Sequence, residues 1–189
     1  MSIREKYHIP ANGKVLLYVG NISANKNQQQ LVESYELLPA SVKENTWVLF
    51  CGRPSKDGSF EDFVKQRSDN AHLILCGVIK KEDMPYYFCE ADGVILLSYA
   101  EGFGLSLIEG LHFGIPFMTF NDLDAFDDIY DDKVAIEVKE RNNDAVARGV
   151  IMLLTNTWDK ELIKNYSRKF EASVMADNYI KVYKSILSV

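Results

Sequence analysis

Short apolar runs alternate with helical stripes along most of the chain. The runs are Lys14–Val19, Trp47–Cys51, Leu73–Cys76, Gly93–Leu97, Pro116–Phe120 and Val134–Val138. They are rich in strand-forming side chains and too short for helices, so each reads as a buried strand. Between them, Leu31, Val32, Tyr35 and Leu38 recur at helical spacing over Gln28–Leu38. Further helices are expected over Phe60–Arg67, Lys81–Glu90 and Leu105–Phe113. From Asn143 onward only helical spacing remains, marked by Val146, Val150, Leu153 and Leu154, then Leu162, Ile163, Tyr166 and Phe170, then Met175, Tyr179, Val182, Tyr183 and Ile186. The alternation predicts an α/β domain: a parallel sheet of about six strands, helices on both faces, and a helical C-terminus. Residues 1–13 are mixed and polar, with Pro10 and Gly13, and read as a linker or a frayed helix, leaving 14–189 as the domain. Gly20, Gly52 and Gly77 close strands at their carboxyl ends, the edge where open parallel sheets bind ligands.

Charge changes this picture at one stretch. A quarter of the chain is charged, yet the 29 residues from Gly93 to Asn121 carry only Glu101 and Glu109. Glu101 opens the turn Glu101-Gly102-Phe103-Gly104, which leads into the helix beginning at Leu105. A glycine turn entering a helix offers unpaired backbone N–H groups and the positive end of the helix dipole to an anion. Glu109 lies between Leu105 and Phe113 on a helix with no other charged side chain, so a solvated polar face explains it poorly. A carboxylate in apolar surroundings needs a hydrogen-bond donor, and a ligand diol supplies two. The pattern suggests a divided ligand, with phosphates on backbone amides and hydroxyls on carboxylates. A capped glycine turn and a glutamate bonded to backbone remain the plainer readings. Lys26, in the loop after the first strand, can meet phosphate as a point charge or simply be solvated.

Composition excludes other classes. A net charge of −6 and a pI near 5.1 leave no basic face for nucleic acid. No apolar run approaches the roughly 18 residues needed to span a bilayer, and no apolar segment follows the first residues as in a signal peptide. Cys51, Cys76 and Cys89 fit neither a zinc nor a disulfide pattern and read as small core residues in a reducing cytoplasm. His8, His72 and His112 are scattered, without metal-ligand spacing. Asp122-Leu-Asp124 could hold a divalent cation, but it lies among six aspartates between Asn121 and Lys133 and reads first as a solvated acidic loop.

Glu101-Gly-Phe-Gly-Leu-Ser-Leu-Ile-Glu109, followed by Gly114-Ile-Pro116, resembles the E-x7-E signature of retaining glycosyltransferases of family 4. Lys14–Gly20, Lys26-Asn27, Leu73–Val78, Met84–Tyr87 and Ala91-Asp92 resemble the segments that precede that signature, and Phe170 with the final helix resembles the family's C-terminal helices. The resemblance implies a Rossmann-like half of a GT-B fold that binds a UDP- or GDP-linked sugar. It implies that Glu109 holds the ribose, Glu101 contacts the donor sugar as the catalytic-site carboxylate, and the amides of Phe103, Gly104 and Leu105 take the diphosphate. Lys26 would counter phosphate charge, and main chain near Gly77 and Val78 would hold the base. Gly20 and Asn21 would line the donor loop, with Asn21 where the family usually has arginine. No metal or other cofactor is implied. The acceptor-binding half would precede residue 1, in the same chain or a separate one. A cytoplasmic chain is expected, with peripheral membrane contact through a lipid-linked acceptor. The rival readings are a non-catalytic interaction module and a metal-dependent transferase using Asp122 and Asp124.

Overall fold

The computed structural model describes residues 2–67 and 70–187. Residue 1 of the expected linker, and residues 68–69 and 188–189 of the expected domain, lie outside the described residues. In chain order the elements are α1 Ile3–Lys6, β1 Lys14–Val19, α2 Gln28–Glu36, α3 Ala40–Lys43, β2 Thr46–Cys51, α4 Ser59–Lys65, β3 Leu73–Gly77 and α5 Met84–Glu90. They continue with β4 Gly93–Leu96, α6 Leu105–His112, β5 Phe117–Phe120, α7 Phe126–Ile129, β6 Ala135–Val138, α8 Asn143–Thr155, α9 Lys160–Ser167 and α10 Ala172–Leu187.

The six strands form one parallel sheet in the order β3-β2-β1-β4-β5-β6. This is the Rossmann-like α/β architecture expected from the alternation. β1 and β4 lie at its centre, and Val15, Leu16, Leu17 and Tyr18 have no solvent exposure. Burial on both faces explains the unbroken apolar runs. α2 packs on α8, while α6 packs on β4, β5 and α9, so helices cover the sheet. α6 lies close to the sheet because Gly110 has no side chain: a Cβ there would be 2.6 Å from a Val94 methyl. The chain runs out along β1 and returns on the other side through β4. Their carboxyl ends therefore flank the switch point, the place where open α/β sheets bind ligands.

Residues 2–13 carry the short helix α1 and pack onto the later elements: Ile3 and Ile9 are buried, and Glu90 accepts from the Ser2 hydroxyl at 2.8 Å and the Arg4 amide at 3.1 Å. Arg4 donates to the carbonyls of Pro10 and Gly13, tying the segment down. Other expectations need correction. The acidic stretch after β5 contains α7, held by buried Leu123, Phe126 and Ile129, whose three-residue spacing is masked by aspartates. The third helix starts at Met84, with Pro85 in its first turn, a position that needs no N–H. Cys51 is buried, but Cys89 is exposed and Cys76 only partly covered. No described residue of α10 is buried. No helix among the described residues is long and apolar enough to cross a membrane.

Candidate functional site

Two loops meet at the switch point, one after β1 and one after β4. Asn25 laces them together. Its carbonyl accepts from the Tyr99 amide at 2.8 Å, its side-chain oxygen accepts from the Ala100 amide at 3.1 Å, and its side-chain nitrogen donates to the Ala100 carbonyl at 3.0 Å. Tyr18, at the end of β1, accepts from the Leu97 amide at 2.9 Å and donates to the Lys26 carbonyl. Burial pushes its phenol well above the ordinary value, so it stays a donor at any physiological pH.

Lys26 and Glu101 meet across this seam as an ion pair, and the Ser98 hydroxyl donates to the same Glu101 oxygen at 2.9 Å. Three residues on, Gly104 caps α6 with φ +65°, a conformation that favours glycine. No side chain caps the helix, and among the described residues the amides of Phe103 to Ser106 have no acceptor. Exposed Gly102 and Leu105 leave this helix start open, while the Phe103 ring is anchored edge-on against Phe170 at 5.9 Å. The result is a row of N–H donors beside one lysine–carboxylate pair, which suits an anion joined to a hydroxylated group.

Glu109 stands one turn further along α6. It is exposed at the rim of a groove of about 390 Å³ lined by Met84, Pro85, Phe88, Ile108 and Phe113. It has no hydrogen-bond or ion-pair partner among the described residues. Desolvation by the groove pushes its carboxyl above the usual range, and Lys81 pulls it part of the way back. The backbone cap that was the plain alternative for Glu109 is absent from its contacts.

The remaining expected residues fall on the same sheet edge with less in common. Gly77 ends β3 and Val78 follows it, and β2 and β1 separate β3 from β4. The Gly77 carbonyl accepts from the Gly52 amide at 2.9 Å, and Val78 is 69% exposed. Asn21 holds the architecture together: its side-chain oxygen accepts from the Arg53 amide at 3.2 Å, and its carbonyl accepts from Gln28 at 3.0 Å. Gly20 sits so close to the β2 loop that a Cβ on Gly52 would be 2.0 Å from its carbonyl oxygen.

Asp122 is engaged by a cation of the chain itself. Arg141 forks both of its oxygens at 2.7 Å, and the guanidinium holds the carboxyl below its ordinary value. Asp124 is exposed, and no cluster of three or more metal-ligating side chains forms among the described residues. Arg141 also donates to the Ser98 carbonyl at 3.0 Å and lies over the rings of Phe120 and Tyr99. It thereby braces the residue that bonds Glu101. No spacing rule points to it, since it sits in the polar run Lys139–Asp144. Gln28, only 1% exposed, was equally hidden: it donates to the Asn21 carbonyl and accepts from the Ser23 amide.

The model of one protein family, the glycosyl transferases group 1, matches residues 2–170. O-antigen chain mannosyltransferase B of Escherichia coli is 27% identical over 122 residues, covering 64% of this chain and 32% of that protein. The capsular polysaccharide biosynthesis glycosyltransferase CapM of Staphylococcus aureus is 24% identical, covering 98% of this chain and 50% of its own length. Among solved structures, Anabaena Alr3699/HepE in complex with UDP-glucose superposes with a TM-score of 0.76 at 15% identity, over 99% of this chain and 52% of that one. At that identity the likeness shows the fold alone. The matched regions thus cover about a third to a half of the length of these relatives.

Proposed function

The chain belongs to the glycosyl transferases group 1 family, and on that premise we propose that it is the nucleotide-sugar-binding half of a retaining GT-B enzyme. The whole enzyme would pass a hexosyl group from a UDP- or GDP-linked donor to an acceptor hydroxyl with the anomeric configuration kept. The carrying observation is the uncapped start of α6 beside the Lys26–Glu101 pair. The amides of Phe103, Gly104 and Leu105 would receive the diphosphate, with the helix dipole adding roughly 0.3–1 kcal/mol. Lys26 would be shared between Glu101 and phosphate. As the sugar–phosphate bond breaks, charge grows on the leaving diphosphate, and these fixed donors stabilise it without a metal ion. Glu101 would take hydroxyls of the donor sugar and Glu109 those of the ribose. The base would lie toward Gly77 and Val78, with Gly20 and Asn21 lining the loop.

The relatives' greater length supports an acceptor-binding half supplied in the same chain or by a second one. A cytoplasmic setting, with peripheral contact to a membrane through a lipid-linked acceptor, fits this reading, and no nucleic acid partner enters it. Calorimetric titration with UDP- and GDP-sugars tests it. Saturable heat with a Kd between about 10 µM and 1 mM is expected, weakened about tenfold by Glu109→Ala. No heat with any donor at millimolar concentration would overturn it.

A specific observation favours a second reading, a donor-binding module without turnover. Asn21 stands where a cation is expected, and its side chain is already bonded to the Arg53 amide. Binding that persists while no transfer occurs, even with the acceptor half supplied, would select that reading.

A further inference from the structure

A second cavity, of about 890 Å³, lies between the loop after β1 with the start of α2 and the loop after β2 with α4. It shares no residue with the groove beside Glu109, and neither Lys26, Glu101 nor the start of α6 lines it. Its size is at the upper end of the roughly 300–1,000 Å³ of small-molecule sites. Its polar groups are unusual for a helix start. Gln30 is only 9% exposed; its Oε1 accepts from the Asn27 side chain at 2.6 Å, and its Nε2 has no partner among the described residues. A buried amide nitrogen left unpaired costs stability unless something in the cavity accepts from it. Glu33, half-buried, accepts from the Gln29 side chain at 2.9 Å on one oxygen and from Asn143 at 3.1 Å on the other. Those two bonds use about half of the acceptor positions of a carboxylate, and no cation among the described residues pairs with it.

Aromatic surface completes the cavity. Tyr99 is 60% exposed, yet it is held: its amide donates to the Asn25 carbonyl at 2.8 Å, and the Arg141 guanidinium lies 4.9 Å from its ring centre. Phe60 and Phe63, stacked at 6.3 Å, add apolar wall. A pyranose lays its C–H face on such a ring, donates hydroxyl protons to a carboxylate and accepts from amide N–H groups. Lys56 is the one cation among the described lining residues, against the carboxylates of Glu33 and Asp57, so a polyphosphate is disfavoured. We propose that this cavity binds a neutral saccharide of about two or three pyranose rings, with Tyr99 as the platform and Glu33, Gln30 and Asn143 as its hydroxyl partners. The binding itself stands apart from the donor site. That the saccharide belongs to the acceptor or product chain, placed beside the donor sugar because Tyr99 precedes Glu101 by two residues, rests on the function proposed above.

Amide NMR of the whole chain, titrated with mannotriose, maltotriose, galactotriose and triacetylchitotriose to about 20 mM each, tests the site. At least one should give saturable shifts on the side-chain carboxamides of Gln29, Gln30 and Asn143 and on the Tyr99 amide, with Phe103–Ser106 unmoved. Tyr99→Ala and Glu33→Gln should each weaken that binding about fivefold or more. Both positions reach solvent, and the rest of the spectrum shows whether the fold is kept. Glu33→Gln should leave the response of the α6 amides to UDP and GDP intact. Nucleotide shifts without saccharide shifts would therefore overturn this site alone, and saccharide shifts without nucleotide shifts would support it while overturning the donor reading. No saturable shift with any of the four sugars, or shifts confined to the start of α6, would overturn the site. A stronger response of the cavity to inositol hexakisphosphate than to the sugars would overturn the neutral class.

Discussion

Glu109 and Asp122 are both carboxylates near the sheet edge, and their surroundings push them in opposite directions. Desolvation raises Glu109, so folding costs more for its ionised form than for its protonated one. Its contribution is favourable below the unfolded pKa and is lost as pH rises through the folded one. Glu109→Gln should therefore raise stability at pH 7, by less than about 1 kcal/mol given its exposure, and change nothing near pH 3; thermal melts at the two pH values check this. Asp122 is lowered by Arg141, so its stabilisation is present above the ordinary aspartate range and fades as pH falls through the folded value. Asp122→Asn should cost at most about 1 kcal/mol at pH 7, with the difference from wild type vanishing in acid. A gain in stability would show the fork to be unimportant. The two glutamates were legible in the sequence because nothing else in their stretch is charged. Arg141 was not, because a cation in a polar run looks solvated until the fold lays it over Phe120 and against Ser98.

Strands were readable because burial on both faces leaves uninterrupted apolar runs, and long helices because their apolar residues recur at helical spacing. The short turns α3 and α7 were not: four residues give too little periodicity, and α7 hides its buried side chains among aspartates. The position of the loop after β1 was legible only as a glycine after a strand. What fixes it is the close approach of Gly20 to Gly52 and the bond that the Asn21 side chain accepts from Arg53 in the β2 loop. A Cβ at Gly52 would strike backbone, which cannot rotate away. Gly52→Ala should destabilise the chain by about 3 kcal/mol in urea unfolding and loosen the loop carrying Lys26. A loss below about 0.5 kcal/mol would mean that the loop shifts at little cost.

For the whole molecule, the parallel order with its switch point between β1 and β4 explains why residues far apart in sequence, Lys26 and Glu101, share one site. α10 stands apart from that plan. Met175, Tyr179, Val182, Tyr183 and Ile186 are all exposed along it. Ending the chain at Glu171 should therefore leave the melting temperature almost unchanged; a large drop would show that α10 supports the core. The central claim is that the open start of α6 receives the donor's diphosphate. Backbone amide NMR during titration with UDP and GDP tests it most directly. The account predicts saturable shifts concentrated on Phe103, Gly104, Leu105 and Ser106, with weaker ones near Lys26 and Glu109. Binding that leaves those four amides unmoved while shifting residues elsewhere would contradict it.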